Sequence, residues 1–354
     1  MAKTDTLFPI LDHPPTSFLA RAASEAPLDS TGCLTEYRPL STRSILGKST
    51  SRRGLTFTHS INPYRGCEFA CRYCYARYTH EFLELRDPDE FERKIYFKQN
   101  AAWLLNQELA RLKPDTEIAL GTATDPYQPL ERRQRITRSL LEVFAQKSGF
   151  RLGIVTKSAL ILRDLQILQE ISKHNALTVH LTVTTMNATL ARLLEPRAPR
   201  PDLRMYAVSR LRQAELRAGV LCSPLMPGIT DTRSSISAVA RAASDAGASF
   251  LGAGPLFLKS CSQPTFFKFI EQHFPEQLPA YRQRYANGAF VSAEYRKRMD
   301  DLIRSLCRQH GLEKLVFDEL ASGGAHAQRA KAQPWLPFGP DIARGRAHAH
   351  TACA

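Results

Sequence analysis

The sequence predicts an α/β fold, a partial (β/α)6 barrel, because short apolar segments alternate with helical patterns through its middle. Short β-branched strands that alternate with helices imply βαβ units and a parallel sheet. A second observation is that polar clusters end or directly follow five of the predicted strands. In α/β barrels the loops after the strands carry the chemistry. These clusters are therefore expected to meet at one end of the barrel.

Six strands are predicted in chain order, and the last five precede helical patterns. They are "LTFTHSI" (55–61), "TEIALGT" (116–122), "FRLGIVTKS" (150–158), "ALTVHLTVTT" (176–185), "GVLCSPLMPG" (219–228) and "ASFLGAG" (248–254). The polar clusters are "INPYRGC", "GTATDPYQP", "VTKS", "TVTT" and "SPLMPG". Gly, Pro, Asp and Thr also form ordinary turns, but five such turns opening on one face favour a site.

Four segments are expected along the chain. Residues 1–55 lack a clear period and read as an irregular N-terminal arm, with one short strand near "LTEYRPL". Residues 56–275 form the barrel core, and 276–320 form a C-terminal helical cap. Residues 321–354 are rich in Ala, Gly, Pro and His and read as a flexible tail.

Composition narrows the class of protein. Hydrophobic residues make up 43% of the 354 positions, which allows a substantial core and argues against general disorder. No uncharged apolar run approaches the roughly 20 residues that span a bilayer. The start has no apolar segment typical of a secretory signal. We therefore expect a soluble, cytoplasmic protein without a membrane partner.

The net charge of +14 suits a polyanionic partner such as nucleic acid. The excess is spread along the chain, however, and spread charge is also typical of a solvated surface. Both interpretations stay open at this point.

Three of the eight cysteines, Cys67, Cys71 and Cys74, lie at positions i, i+4 and i+7. That spacing fits one face of a buried helix. Pro63 fixes its φ and lacks an N–H, and Gly66 permits positive φ, so both disfavour a helix here. We expect a loop from Gly66 and a helix after the last cysteine. A loop lets the three thiolates converge, and clustered thiols in a reducing compartment are more often metal-binding or catalytic.

Three thiolates are one fewer than the usual four ligands of a cubane iron–sulfur cluster, so one iron would stay open. Zinc with His80 as a fourth ligand is the alternative, although structural zinc usually takes two separated ligand pairs. A plain buried stripe is the third interpretation.

The C-x3-C-x2-C spacing, with Tyr73 directly before the last cysteine, resembles the signature of the radical S-adenosylmethionine (SAM) superfamily. Further segments, among them "FERKIYFKQN", "ALGTATDPYQPLE", "TVTTMNATLARLLEPRAP" and "PLMPGITD", are similar to a subgroup related to spore photoproduct lyase. The resemblance covers residues from about 60 to 250 and implies a radical-SAM-type partial barrel.

The resemblance also implies a cofactor and an activity. In that superfamily a [4Fe–4S] cluster binds the amino and carboxylate groups of SAM at its open iron. Reductive cleavage by an external one-electron reductant, flavodoxin- or ferredoxin-like, then yields methionine and a 5′-deoxyadenosyl radical. Cys67, Cys71 and Cys74 would be the metal-binding and catalytic residues. No motif names the substrate. Lyase-like chemistry on nucleic acid is one branch, and a small molecule is another. A non-catalytic iron–sulfur or zinc protein that interacts with nucleic acid is the alternative.

The resemblance assigns the loop after the second strand to the amino group of SAM. Here that loop is "GTATDPYQP", so Thr122, Thr124 and Asp125 are the candidates. The family's commoner "GGE" run is absent, and an ordinary turn explains the same residues.

Further roles follow from the other strand ends. Lys157 is a candidate donor to the methionine carboxylate, and its alternative is a surface lysine. Thr184, with Thr185, would reach ribose or carboxylate, although such residues are common in strands. Tyr73 and "SPLMPG" would flank the adenine ring.

The roles of two further sets of residues stay open at this point. Glu195 and Arg197 form either a structural ion pair or part of the cavity wall. Cys222 or Cys261 is a candidate hydrogen-atom donor, whereas an isolated cysteine is more often a small buried hydrophobic residue.

Overall fold

The computed structural model describes residues 17–48 and 57–315, which carry two β-sheets and a layer of helices. The strands are β1 Ser30–Thr31, β2 Glu36–Leu40, β3 Leu46–Lys48, β4 His59–Ile61, β5 Tyr64–Arg65, β6 Lys94–Lys98, β7 Glu117–Leu120, β8 Arg151–Thr156, β9 Ala176–Thr182, β10 Arg217–Leu225, β11 Phe250–Pro255 and β12 Glu313–Lys314.

Twelve α-helices and four 3₁₀ helices lie within the described ranges. The α-helices are α1 Phe18–Ser24, α2 Glu90–Arg93, α3 Ala101–Leu109, α4 Glu131–Gln134, α5 Ile136–Ala145, α6 Leu165–His174, α7 Ala188–Leu194, α8 Pro201–Gln213, α9 Arg233–Asp245, α10 Gln263–His273, α11 Leu278–Arg284 and α12 Ala293–Gln309. The 3₁₀ helices are Tyr75–Leu83, Ala159–Asp164, Ser260–Ser262 and Pro275–Gln277.

The larger sheet has the order β12-β11-β10-β9-β8-β7-β4-β3. Its six central strands, β4 and β7 to β11, are parallel, and their order in the sheet follows their order in the chain. The intervening strands β5 and β6 belong to the smaller sheet. The six parallel strands confirm the predicted partial (β/α)6 barrel. The prediction works because parallel strands are buried on both faces and read as continuous apolar runs. In β9, for example, every residue after the first is buried.

The helices between these strands bury one face against the sheet or against each other. In α5 the buried apolar residues Ile136, Leu140, Leu141 and Phe144 fall at helical spacing. Helix α5 packs against both α3 and α6, so these helices form a continuous outer layer. The packing leaves the carboxyl ends of the strands to the loops.

The N-terminal segment is more regular than the irregular arm that the sequence predicts. Residues 17–48 hold α1, β1, β2 and β3, and β2 falls within the strand predicted near "LTEYRPL". A smaller sheet of order β1-β2-β6-β5 includes β2, which pairs in parallel with β6. Elements of two to seven residues carry too little periodicity to be recognised, and here pairing with residues distant in sequence stabilises them.

The described helices α11 and α12 near the C-terminus pack against different parts of the fold. Helix α11 lies on the loops after β10 and β11, where Tyr281 Oη donates to the Pro227 carbonyl at 2.7 Å. Helix α12 packs against β11 and α9, and β12 then pairs in parallel with β11. Helix α12 thus continues the outer layer of helices. The proposed division into four segments stays a prediction, and its tail, 321–354, lies outside the described residues.

Among the described helices, none combines the length and the apolar character needed to cross a bilayer.

Candidate functional site

A cavity of about 220 Å³ lies at the carboxyl ends of the parallel strands. The cysteine loop forms one wall, and the loops after β7, β8 and β11, together with the end of β10, form the others. Its lining includes the three clustered cysteines and residues from the predicted polar clusters: Cys67, Cys71, Cys74, Thr122, Asp125 and Lys157. The structure therefore brings together side chains that are up to 200 positions apart in sequence, as lining residues 57 and 257 show.

The cysteine loop is not helical, as predicted. Gly66 has φ +79°, and a Cβ at this position would lie 2.7 Å from the carbonyl oxygens of Phe91 and Lys94. Only glycine satisfies both the conformation and the close approach. Helical structure resumes at Tyr75, where a 3₁₀ helix begins directly after Cys74. The three thiols consequently converge on the cavity and do not form a stripe along a helix.

Buried hydrogen bonds hold this loop in place. The Glu68 carboxylate accepts from Tyr37 Oη and from the Leu130 N–H, both at 2.8 Å. At the other end of the loop, Ser262 Oγ donates to the Cys74 carbonyl at 2.7 Å. The loop is thus anchored to the small sheet, to the β7 loop and to the segment after β11.

Burial and nearby cations act in opposite directions on the thiols. Burial raises the pKa of the Cys71 thiol to about 12, whereas the Lys157 ammonium favours its thiolate. Burial also raises the pKa of Cys74, and the Arg77 guanidinium opposes that shift. Buried thiols of this kind stay protonated until a metal displaces the proton. The two cations then offset part of the negative charge of metal-bound thiolates.

The zinc alternative with His80 is wrong. His80 is 2% exposed, its Nε2 lies 3.0 Å from the Lys94 carbonyl oxygen, and its ring packs on Phe91 and Tyr96. Within 17–48 and 57–315, no three His, Cys, Asp or Glu side chains converge on a single-ion site. Three thiols spaced around one cavity instead fit a larger group, in which each sulfur binds a different iron.

Asp125 lines the cavity, but its carboxylate already has protein donors. It accepts hydrogen bonds from Thr156 Oγ1 at 2.7 Å, the Lys157 N–H at 2.7 Å and the Tyr127 N–H at 2.9 Å. Burial raises its pKa, and these donors oppose the shift. The Asp125 N–H also hydrogen-bonds the Cys67 sulfur. Asp125 therefore joins the loops after β7 and β8 to the cysteine loop.

The two threonines of the same loop differ in orientation. The Thr122 hydroxyl accepts from Asn62 Nδ2 at 3.2 Å, and the Thr122 carbonyl accepts from Tyr75 Oη. The Thr124 hydroxyl is buried and donates to the Tyr64 carbonyl at 3.2 Å. Both residues line the cavity. The Thr124 hydroxyl is therefore occupied by a hydrogen bond to the backbone that leads into the cysteine loop.

Among the described residues, Lys157 is the cation that lines the cavity. Its ammonium lies 5.8 Å from the centroid of the Tyr73 ring. Burial lowers its pKa, but the Cys71 thiol and the Glu195 carboxylate outweigh burial, so the pKa is raised. Among the described residues its ammonium has no carboxylate within ion-pair distance. A protonated lysine in this position suits an anionic ligand.

Behind the cavity wall lies a buried polar network. Tyr73 Oη donates to the Glu195 carboxylate, and Thr184 Oγ1 donates to the same oxygen at 3.0 Å. Arg204 pairs with Glu195 at 2.5 Å, and both side chains are 1% exposed. The ion pair considered with Arg197 is therefore wrong, since Arg197 donates to a backbone carbonyl instead. Thr184 lies in this network and not among the residues that line the cavity.

The isolated cysteines do not line the cavity. Cys222 is fully buried in the core, and its sulfur faces the Thr184 carbonyl oxygen at 3.9 Å. Cys261 is partly exposed, and its sulfur lies 3.7 Å from Ser262 Oγ. Neither is placed as a hydrogen-atom donor to a ligand inside this cavity.

Four aromatic residues of the wall were not singled out from the sequence: Phe57, Phe69, Tyr75 and Phe257. Tyr75 and Phe257 both line the cavity, with ring centroids 5.9 Å apart. Tyr75 directly follows the last clustered cysteine, and that position was a usable signal. Phe257 lies beyond the end of β11 in a segment without any motif. The "SPLMPG" segment does reach the cavity, through Ser223 and Pro224.

Comparisons with known proteins now decide the family. Residues 61–235 match the family model of the radical SAM superfamily. An uncharacterized protein of Mycobacterium tuberculosis is 31% identical over 271 residues, covering 76% of this chain and 79% of the relative. The chain belongs to the radical SAM superfamily. A second relative, an uncharacterized protein of Methanocaldococcus jannaschii, is 25% identical and covers 70% of this chain and 89% of the relative.

Solved structures support the same fold for this radical SAM protein. Spore photoproduct lyase matches with a TM-score of 0.59 at 16% identity, covering 78% of this chain and 80% of that chain. Spore photoproduct lyase with bound S-adenosylmethionine and dinucleoside spore photoproduct matches with a TM-score of 0.58. At this identity the similarity concerns the fold.

The radical SAM assignment confirms the enzymatic interpretation of the sequence over the non-catalytic one. Enzymes of this superfamily use SAM and an iron–sulfur cluster, and they need a reductant and a substrate. The donor set of the cavity, three cysteine thiols beside one lysine, fits these cofactors.

Proposed function

We propose that Cys67, Cys71 and Cys74 bind three irons of a [4Fe–4S] cluster and that SAM occupies the remaining cavity at the fourth iron. The observation that carries this proposal is the convergence of three thiols and the Lys157 ammonium on one cavity. When bound, the cluster supplies the electron that cleaves SAM to methionine and a 5′-deoxyadenosyl radical.

The residues around the cavity divide into ligands and positioning groups. Lys157 binds the methionine carboxylate, because its ammonium is protonated and faces the cavity. Thr122 offers its hydroxyl oxygen to the amino group of SAM. Asp125 and Thr124 act indirectly, since their side chains already bind protein donors or acceptors. The Asp125 N–H also stabilises the Cys67 thiolate.

Aromatic and apolar side chains limit water around the reacting atoms. Tyr73, Tyr75, Phe257 and Pro224 contribute to the cavity lining. We assign the adenine ring of SAM to this part of the wall, where the Tyr73 ring is held by its hydroxyl bond to Glu195. Exclusion of water protects a reactive radical from side reactions.

Anaerobic reconstitution with iron and sulfide, followed by reduction with SAM, tests this proposal. We expect a brown chromophore and formation of 5′-deoxyadenosine in the wild type. The variant with Cys67→Ala, Cys71→Ala and Cys74→Ala should lose both. Cys33→Ala is the matched control, because Cys33 is exposed and lies outside the cavity. A chromophore that survives the triple substitution would contradict the assignment.

For the substrate, we propose lyase-like chemistry on nucleic acid. Support comes from the net charge of +14 and from the fold shared with spore photoproduct lyase. Filter binding to DNA and RNA at two salt concentrations tests this branch, because phosphate contacts make affinity fall steeply with salt. No binding at low salt would favour the small-molecule branch.

A flavodoxin- or ferredoxin-like protein is the proposed electron donor, and the cytoplasm is the proposed location. The seven cysteines that the structure describes are free thiols, which suits a reducing compartment. Reduced flavodoxin should support 5′-deoxyadenosine formation in place of a chemical reductant. No 5′-deoxyadenosine with reduced flavodoxin, under conditions in which the chemical reductant supports its formation, would contradict this choice of donor.

A further inference from the structure

A row of aromatic and cationic side chains lies beside the cavity, and we name Arg65, Tyr78, Phe82 and Lys259 the aromatic–basic strip. The rings of Tyr78 and Phe82 meet edge to face, with centroids 5.9 Å apart. The Lys259 ammonium lies 3.6 Å from the Tyr78 centroid, and the Arg65 guanidinium lies 5.9 Å from the Phe82 centroid. The strip therefore consists of two adjacent rings, each with one positive charge near its face.

Both chain segments that carry most of the strip also form the cavity wall. Tyr78 and Phe82 belong to the 3₁₀ helix that begins at Tyr75, a lining residue. Lys259 follows two positions after Phe257, which also lines the cavity and packs on Tyr75. A ligand that enters the cavity would consequently meet the strip along the same wall.

The Phe82 side chain is not part of the hydrophobic core. It is 54% exposed, although the neighbouring Leu83 is buried in a hydrophobic cluster. An exposed aromatic ring beside a cation is the kind of platform on which the bases of a single strand stack. About half of the Phe82 side chain is therefore left accessible by the described residues and is available to stack on an external ligand.

Two cations in this region, Arg65 and the nearby Lys98, form no ion pair with a carboxylate of the described residues. Arg65 donates to the Thr79 carbonyl at 3.4 Å, and its buried Nε has no partner among the described residues. Lys98, whose side chain is near Arg65, is only 7% exposed. Burial and the Arg65 charge lower the pKa of Lys98 to about 7. In the described ranges neither Arg65 nor Lys98 forms an ion pair with a carboxylate, so an external anion would relieve a real electrostatic cost.

We propose that the aromatic–basic strip binds single-stranded nucleic acid, with bases stacked on Phe82 and Tyr78 and phosphates paired with Arg65 and Lys259. This inference rests on the proposed function and adds the surface by which the substrate strand approaches the cavity. Aromatic rings combined with nearby cations are the pattern that recognises single strands without regard to sequence. A base must leave a duplex before an enclosed site can act on it, so the single strand is the form expected at the strip.

An acidic residue, Glu81, provides a substitution that should strengthen binding of nucleic acid to the strip. Glu81 is exposed on the same 3₁₀ helix, between Tyr78 and Phe82 in sequence. Its carboxylate repels a phosphate backbone that follows the strip. Neutralising Glu81 should therefore strengthen binding, whereas a purely structural helix would not respond in this way.

Fluorescence anisotropy with labelled single-stranded DNA and RNA, and with duplexes of the same sequence, tests the strip on the full-length protein. Phe82→Ala should weaken single-strand binding about fivefold to a hundredfold. Phe82→Trp should retain it, Arg65→Gln should reduce the salt slope by about one, and Glu81→Gln should tighten binding. Trp103→Ala is the matched control, because Trp103 is an exposed aromatic residue (66%) on α3 outside the strip.

The outcomes separate the strip from the proposed function. If the wild type binds no nucleic acid at low salt, the proposed substrate class fails while 5′-deoxyadenosine formation still tests the chemistry. If the wild type binds but Phe82→Ala and Arg65→Gln behave like Trp103→Ala, the strip is wrong and the substrate class stands. Tighter binding to duplex than to single strand would also overturn the strip. Melting temperatures near the wild-type value identify variants that remain folded.

Discussion

Replacing Arg204 by Met should destabilise the wall of the cavity through a buried carboxylate. Arg204 pairs with Glu195 at 2.5 Å, and both side chains are 1% exposed. Met preserves most of the volume but removes the charge and the hydrogen bonds to the carbonyls of Thr182 and Pro199. Glu195 would keep only the Tyr73 and Thr184 hydroxyls as donors.

The expected cost is about 3–5 kcal/mol, because removing one partner of a buried ion pair leaves an uncompensated charge. Burial raises the pKa of Glu195, but Arg204 and Lys157 outweigh it and hold that pKa below its usual range. In the wild type this carboxylate therefore stabilises the fold above the pKa of an unfolded Glu, and the contribution is lost as pH falls through the folded pKa. In Arg204→Met burial dominates, and protonation of Glu195 should shrink the deficit as pH falls.

Urea unfolding followed by circular dichroism measures this cost at neutral pH and near pH 5. The double variant Arg204→Met with Glu195→Gln should recover about 2–3 kcal/mol relative to additive behaviour. Arg200→Met is the matched control, since Arg200 forms an exposed pair with Asp202 and should change stability little. Additive single effects, or a deficit that grows as pH falls, would refute the reasoning.

Three further substitutions test separate parts of the site. Gly66→Ala should sharply lower the iron retained per chain after reconstitution, because its Cβ would lie 2.7 Å from two backbone carbonyl oxygens; Gly247→Ala, also at positive φ but with open space, should retain iron. Lys157→Met should raise the Kd for SAM about tenfold or more, measured by equilibrium dialysis, because a charge-assisted contact is lost; an unchanged Kd would argue against the carboxylate role. Cys222→Ala should leave 5′-deoxyadenosine formation unchanged, because this thiol lies in the core outside the cavity lining; a large loss in a variant with the wild-type melting temperature would contradict that placement.

The features that could be predicted from sequence are those encoded locally. The C-x3-C-x2-C spacing and the φ requirement at Gly66 are both readable within a few residues, and they determine the loop. Buried parallel strands such as β9 produce continuous apolar runs, so the central sheet is also readable. The resemblance to radical SAM proteins added the cofactors to this framework.

The features that escaped prediction depend on packing between distant segments. Arg197 is the nearest cation to Glu195 in the chain, but α8 carries Arg204 back onto the carboxylate. Asp125 appeared free to bind a ligand, whereas the last residue of β8 and the first residue after it supply two of its donors. The strip depends on Phe82 lying near Arg65 from a neighbouring strand. Such contacts have no local periodicity and appear only in the folded structure.

The central claim is that three cysteines of one loop hold a [4Fe–4S] cluster at which SAM binds. Electron paramagnetic resonance of the anaerobically reconstituted and reduced protein, with and without SAM, tests it most directly. We expect about four irons per chain and a reduced-cluster signal that changes when SAM is added. Loss of the signal in the variant that combines Cys67→Ala, Cys71→Ala and Cys74→Ala would agree with this account. A cluster signal that persists in that variant, or one that does not respond to SAM in the wild type, would contradict it.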